Sequence, residues 1–345
     1  MTKIKTDAVI IGAGPVGLFT IFECGMLNMK TLVIDALDFI GGQCTALYPE
    51  KPIYDVAGFP AINAEDLIKN LEKQAAPFNP QYLLGQQVVK VETGNWKLEN
   101  PDSSFQFLVS TSKNEEIYAK VIIIAAGCGA FGPNRPPIEN LEEFEKTGAV
   151  NYLVRSKEDY RGKKVVIAGG GDSAVDWANI LPDVASKVYI AHRRDKFRAA
   201  PESLNKLQKL REEGKIEFLI PYQPAGVIGK NGKLEAVELK DLTGNSINIE
   251  ADNLLCFFGL AMELGPIANW GLNIDKTHIA VDAATLQTNV AGIYAVGDIC
   301  TYKGKLKLIT CGFSEAAMAV HHAYDRVHGK PLHFEYSTSK GVPAA

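Results

Sequence analysis

No Cys-x-x-Cys pair occurs among the six cysteines of this chain, Cys24, Cys44, Cys128, Cys256, Cys300 and Cys311. That absence argues against a zinc knuckle and against a disulfide framework, and no other cluster reads as a metal site. Long apolar runs are missing too. None approaches the roughly 18 to 20 residues that a helix needs to cross a bilayer. Positive charge is not in excess: 36 Lys and Arg against 40 Asp and Glu leave a net charge of −4. A general nucleic-acid binder or a binder of anionic membranes is therefore not expected. Low-complexity tracts are absent. The opening "MTKIKTDAVIIGAGPVGLF" superficially resembles a signal peptide, but glycines and a proline interrupt its apolar stretch and no small-residue cleavage site follows. It reads as the first strand of a cytoplasmic protein.

What is present is the composition of a globular protein: 345 residues, 46% hydrophobic and 22% charged. That length suits two domains, or one domain interrupted by another. The run "DAVII" (7–11) leads into a glycine turn, a segment of helical spacing from Pro15 to Met29, and a second strand "TLVID" (31–35). This is a βαβ unit. A similar unit recurs at "KKVVIAGGGDSAVDWANIL" (163–181) and "KVYIAHRR" (187–194). The first glycines, Gly12 and Gly169, stand 157 positions apart (169 − 12), too far for one small fold. Between the units lie a buried strand "AKVIIIAAG" (119–127) and a proline-rich crossover. After the second unit come strands separated by Asn-Gly and Thr-Gly-Asn turns, then "GIYAVGDIC" (292–300) and a mostly helical segment (307–327). The fold class expected is α/β, with two Rossmann-like dinucleotide-binding domains, the second inserted in the first. The expected boundaries are 1–127 and 258–345 for the outer domain and 128–257 for the inserted one.

The first loop is Gly12-Ala13-Gly14-Pro15-Val16-Gly17. Gly12 permits the tight turn, Gly14 lets the backbone approach a pyrophosphate, and Gly17 allows close packing of helix on strand. The helix N-terminus then presents free N–H groups to phosphate. Asp35 ends the second strand 23 residues after Gly12 (35 − 12), where a carboxylate accepts from a ribose diol. The second loop is Gly169-Gly170-Gly171-Asp172-Ser173-Ala174, with alanine at the third position. The same offset lands on His192, followed by Arg193 and Arg194, with Arg198 close by. Basic residues in place of the acid favour a 2′-phosphate. One site therefore suits a diol-bearing dinucleotide such as FAD, the other NADP. A third element, "YAVGDIC", puts Asp298 at the end of an apolar strand, where such sheets bind ligands.

In their order, GAGPVG, GGQ, AAG, GGGDSA, HRR and GD resemble the two-dinucleotide-domain flavoproteins that include thioredoxin reductase, over nearly the whole chain. Thioredoxin reductases carry Cys-x-x-Cys ahead of the second loop, where this chain reads "GAVNYLVRSKEDYRG" (148–162). Reductases of the glutathione-reductase type carry Cys-x4-Cys beginning where Cys44 stands, and here Pro49 occupies the partner's place. Both routes to an active disulfide are closed, and one thiol cannot run that chemistry. Cys44 is expected to be a small buried hydrophobe.

What remains is similar to the ferredoxin–NADP⁺ reductases built on this scaffold, through "GGQCTALYPEKPIYDVAGFP" (41–60), "AAGCGAFGPNRP" (125–136), "GGGDSAVDWA" (169–178) and "EYSTSK" (335–340). The resemblance implies that Tyr48 stacks on the isoalloxazine and Gln43 touches its polar edge, with Val88, Phe131 and Asp298 completing the flavin site. It implies a homodimer in which a C-terminal extension covers the flavin of the partner subunit, making Tyr336 the second stacking aromatic and placing Thr338 near the ring. The electron acceptor it implies is ferredoxin or flavodoxin. Ferredoxins are commonly acidic, and "YKGKLK", with Lys303, Lys305 and Lys307, is the candidate docking surface. Two other readings stay open on the residues: an NADPH reductase of another acceptor, such as a quinone or a separate disulfide protein, and a nucleotide-binding protein without turnover. Two intact loops plus His-Arg-Arg speak against the last, because a sensor needs only one pocket.

Overall fold

The computed structural model describes residues 3–97 and 104–332. The chain divides into two compact units, residues 1–130 with 262–345, and residues 131–261. Each boundary falls a few residues beyond the expected one.

The first unit is built on a sheet that begins with Ile4–Ile11, whose last four residues, Ala8 to Ile11, are all buried. Such an unbroken apolar run belongs inside a parallel sheet covered on both faces. The strand order is Gln81–Leu84, Thr31–Asp35, Ile4–Ile11, Glu116–Ile124, Ser104–Thr111, Val88–Lys97. Ile293–Ala295 also pairs with Glu116–Ile124, in parallel, so a strand from late in the chain completes the sheet. The register sets the functional edge. Ile11 lies opposite both Ile34 and Ile124, Asp35 opposite Leu84, and Ala295 opposite Ile124. The carboxyl ends of five strands therefore finish along one line, the edge at which open parallel sheets bind ligands.

The helix Pro15–Met26 starts immediately after Gly14, with proline in its first turn, where the missing N–H costs nothing. It packs against Ala64–Ala75 and against the long helix Ile309–His328. That last helix ends at Gly329, whose φ of 68° makes the left-handed cap. Two strands, Val88–Lys97 and Ser104–Thr111, form an antiparallel ribbon, which the motif-based reading did not anticipate.

The second unit has a five-stranded parallel sheet in the order Val150–Asn151, Asn253–Phe257, Lys164–Gly169, Lys187–Ala191, Ile216–Leu219. Its helices Asp172–Ile180 and Pro201–Glu212 pack on each other. A three-stranded antiparallel meander, Gln223–Lys230, Lys233–Lys240 and Ser246–Glu250, follows. Its first turn is Asn231-Gly232, both with positive φ (52° and 72°), the pairing that tight hairpins require. The strand expected over 187–194 stops at Ala191, which leaves His192, Arg193 and Arg194 beyond the sheet edge.

Candidate functional site

In the first unit the glycine loop is shaped by what its missing side chains would strike. A Cβ on Gly12, at φ +108°, would lie 2.4 Å from the carbonyl oxygen of Ala125 on the neighbouring strand. On Gly17 it would lie 2.0 Å from the Gly12 oxygen, and on Gly14 it would meet nothing within 4 Å. The first and third glycines thus let backbone pack on backbone, and the second leaves open space above the helix N-terminus. A pyrophosphate fits such a cradle.

Asp35 closes the loop from the side. Its Oδ2 accepts from Ala13 N at 2.6 Å and its Oδ1 from Leu37 N at 2.8 Å. Burial raises its pKa above the usual carboxylate range, and the two N–H donors pull it back. A carboxylate has about four acceptor positions, so lone pairs remain for a ribose diol. Gly41 N donates to Ala13 O at 2.8 Å, and a Cβ on Gly42 would come within 3.1 Å of Gly14 Cα. The Gly-Gly-Gln segment is thereby seated directly on the first loop.

Several side chains named from the sequence meet here. Gln43 Nε2 donates to the Cys128 sulfur at 3.3 Å, across 85 positions of sequence. Tyr48 shares a hydrogen bond with Cys44, and the Lys51 ammonium stands 5.6 Å from its ring centroid. Burial raises the Tyr48 phenol well above its ordinary pKa, and the nearby Cys44 and Asp298 add to it. Cys44 is 1% exposed, and burial pushes its thiol up to about 11. Burial also raises Cys128, with Gln43 acting against it. All six cysteines are free. Asp298 sits on the turn Gly297–Ile299, half-buried, and its charge acts on Cys44, Tyr48, Cys128 and His278.

Val88 starts the ribbon at 3% exposure, so it offers a ligand at most a main-chain atom. The Phe131 side chain, Tyr336 and Thr338 lie outside the described residues. The proposed basic docking run needs a correction. Lys303 and Lys307 are exposed, but the Lys305 ammonium is 2.5 Å from Glu315 Oε1 with side chains only 6% and 3% exposed. Lys305 is spent on a buried ion pair and is not a surface charge. Sequence reasoning also missed Glu315 itself, Cys128 and His278. The His278 Nε2 is buried without a partner among the described residues, and burial lowers its pKa, with Lys307 adding to the effect. Nothing in their local sequence marks these residues, because only the fold joins them.

The second unit repeats the cradle. A Cβ on Gly169 would lie 2.6 Å from Phe257 O on the neighbouring strand, and one on Gly171 would meet nothing within 4 Å. Gly14 and Gly171 share one backbone conformation, with ψ of −177° and −179°, immediately before their helices. At the third position Ala174 is accommodated where the first loop requires Gly17. Asp172 Oδ1 accepts from Ala200 N at 3.1 Å, which ties the helix start to the segment after the basic run. Arg198 N donates to Gly170 O at 2.6 Å, folding the basic segment over the loop. The His192 ring stacks on Phe197 at 5.3 Å. Burial first, then Arg193, Arg194 and Arg198, hold its pKa below the ordinary value. Those three arginines are exposed around it, and Ser173 is exposed at the helix start. A cationic cluster at the second strand's end replaces the acid of the first unit.

Residues 6–324 match the pyridine nucleotide-disulphide oxidoreductase family. The chain is 56% identical to a ferredoxin–NADP reductase of Paramagnetospirillum magneticum over 99% of both chains. It is also 56% identical to one of Rickettsia massiliae, over 97% of this chain and 98% of that one. Among solved structures, thioredoxin reductase of Lactococcus lactis is similar with a TM-score of 0.78 and 27% identity, over 94% of this chain and all of that one. Thioredoxin reductase of T. acidophilum, at 22% identity and a TM-score of 0.79 over 93% of this chain and 98% of that one, shares the fold.

Proposed function

The chain belongs to the pyridine nucleotide-disulphide oxidoreductase family, among the ferredoxin–NADP reductases, and on that premise we propose that it passes electrons between NADPH and ferredoxin or flavodoxin through bound FAD. Bound FAD supplies the conversion between a two-electron hydride and one-electron carriers. Gly12, Gly14 and Gly17 hold its pyrophosphate against the helix N-terminus, and Asp35 takes the ribose diol. Tyr48 offers a stacking ring, Gln43 a polar contact and Asp298 a contact to the ribityl and pyrophosphate region.

The second unit takes NADPH. Gly169 and Gly171 admit its pyrophosphate to the N–H groups of Asp172 and Ser173, while Arg193, Arg194 and Arg198 pair with the 2′-phosphate beside His192. The observation that carries this reading is the contrast between two like cradles: one closed by a carboxylate, the other by arginines.

A dithiol relay needs two cysteines, and here Cys44 is buried, Pro49 stands at the partner's place and the six cysteines are free. The electrons therefore leave for an external carrier. Lys303 and Lys307, beside the exposed Leu306 and Leu308, form the docking surface for an acidic carrier. The protein works as a cytoplasmic homodimer, with Tyr336 and Thr338 of one chain over the flavin of the other. Phe131 and the Val88 main chain complete the flavin site. The test is spectroscopic: the purified protein is expected to be yellow and to bleach anaerobically with NADPH but not with NADH. A colourless protein would defeat the proposal.

A further inference from the structure

The interior of the first unit holds a charged pair that the electron-transfer reading does not use. Glu315, on the helix Ile309–His328, is 3% exposed, and the ammonium of Lys305 beside it is almost equally buried. Burying two charges is expensive, and apolar replacements of a buried pair are often as stable. A fold keeping such a pair therefore invites a question about what its hydrogen bonds hold.

Among the described residues, the side-chain hydrogen bonds of Glu315 run to the segment 297–305, on both sides of Asp298. Its Oε2 accepts from the Gly297 N–H at 2.7 Å and lies 3.7 Å from the Cys300 sulfur. Its Oε1 accepts from the Tyr302 hydroxyl at 2.7 Å and from Lys305 Nζ at 2.5 Å. The Gly297 bond matters most. Gly297 has φ +76° and opens the turn that carries Asp298, and a Cβ there would touch Val16 of the first glycine-loop helix at 3.4 Å. On the other side, a Cβ on Gly312 would lie 2.4 Å from Val16 and 3.5 Å from Gly297 Cα. The turn is wedged between two helices with no side chain of its own at that point. The Glu315 carboxylate is the side-chain acceptor of the Gly297 N–H, while the Gly297 carbonyl accepts within the turn, from the N–H and the thiol of Cys300.

We propose that Glu315 is a positioning residue for FAD, acting through the Gly297 N–H on the turn that presents Asp298. Lys305 and Tyr302 hold the carboxylate in place. The inference rests on the reading that the first unit binds FAD.

Two double variants separate positioning from plain stability. K305M/E315Q removes both charges but leaves an amide oxygen to accept from Gly297. K305M/E315L removes both charges and the acceptor. Leucine also leaves the Gly297 N–H and the Tyr302 hydroxyl without this acceptor, so its unfolding temperature is expected to be lower, and both variants are compared well below either transition. FAD release, measured by ultrafiltration of the yellow holoprotein, is expected to show a dissociation constant at least about tenfold higher in the leucine variant, because the Asp298 turn is no longer held and must be ordered when FAD binds. NADP⁺ binding to the second unit is the control and is expected to be equal in both. Should leucine prevent folding, K305M/E315M supplies the acceptor-free partner. Equal FAD retention in the two double variants, with wild type holding FAD, overturns the inference and leaves the functional reading standing. A wild type that carries no FAD overturns both.

Discussion

Replacing Arg193 and Arg194 together by alanine should remove most of the enzyme's preference for NADPH over NADH. Both side chains are exposed, and both act on the His192 ring at the end of the strand Lys187–Ala191. The NADPH 2′-phosphate is the only group that distinguishes it from NADH. Hydrogen bonds to charged groups contribute about 1.5–3 kcal/mol each, and exposure places these at the low end. Two of them sum to about 3 kcal/mol, on the order of a hundredfold in kcat/KM for NADPH at 1.4 kcal/mol per decade. Arg198, anchored through its N–H to Gly170 O, remains and sets a floor. The loss should appear in KM, because the phosphate is far from the reacting carbon and binds ground and transition states alike. For NADH the change should stay within about threefold, since the lost bonds were never made. Steady-state rates with ferricyanide as acceptor read both coenzymes without involving the protein carrier. The wild-type preference should also shrink as salt rises, because exposed charges are screened. An equal fall for NADH and NADPH, or no fall for either, would refute the reasoning.

Gly17→Ala should abolish FAD retention, because its Cβ would sit 2.0 Å from the Gly12 carbonyl oxygen with only main chain to yield; FAD content of the purified variant reads this directly. K303E/K307E should raise the KM for ferredoxin about tenfold at low salt while leaving ferricyanide reduction unchanged, whereas Lys305→Glu should instead destabilise the fold, seen as a lowered Tm. Acid should weaken the protein through His192 and His278. Burial holds both below their ordinary value, so the unfolded chain binds their protons more readily. The stability they confer is present above about pH 6.5 and is lost as pH falls through their folded values, which urea titrations at stepped pH can follow.

The parts of the site that were legible in the sequence are those where main chain must approach main chain. Gly12 and Gly169 each face a carbonyl of the adjacent strand at a distance no side chain tolerates, so glycine spacing announces them. Asp35 is legible because the strand Thr31–Asp35 ends there. In the second unit the strand Lys187–Ala191 ends just before His192, Arg193 and Arg194, so the same offset from the glycine loop lands on the basic segment past the strand's end. Lys305 was misread because a lysine in a polar turn looks solvated. The turn curls back onto a helix ten residues further along the chain (315 − 305), and Glu315 meets it in the interior. Gln43 and Cys128 meet across the sheet edge, a contact that no local pattern encodes. Cys44 is buried, as expected of a small hydrophobe, and its partner position is occupied by Pro49.

The most direct measurement is anaerobic reoxidation. The protein is reduced with one equivalent of NADPH, then mixed with oxidised ferredoxin, flavodoxin or thioredoxin while the flavin band is followed. The flavin should regain its colour with ferredoxin or flavodoxin, one electron at a time, and stay bleached with thioredoxin. Recovery with thioredoxin alone would contradict the account.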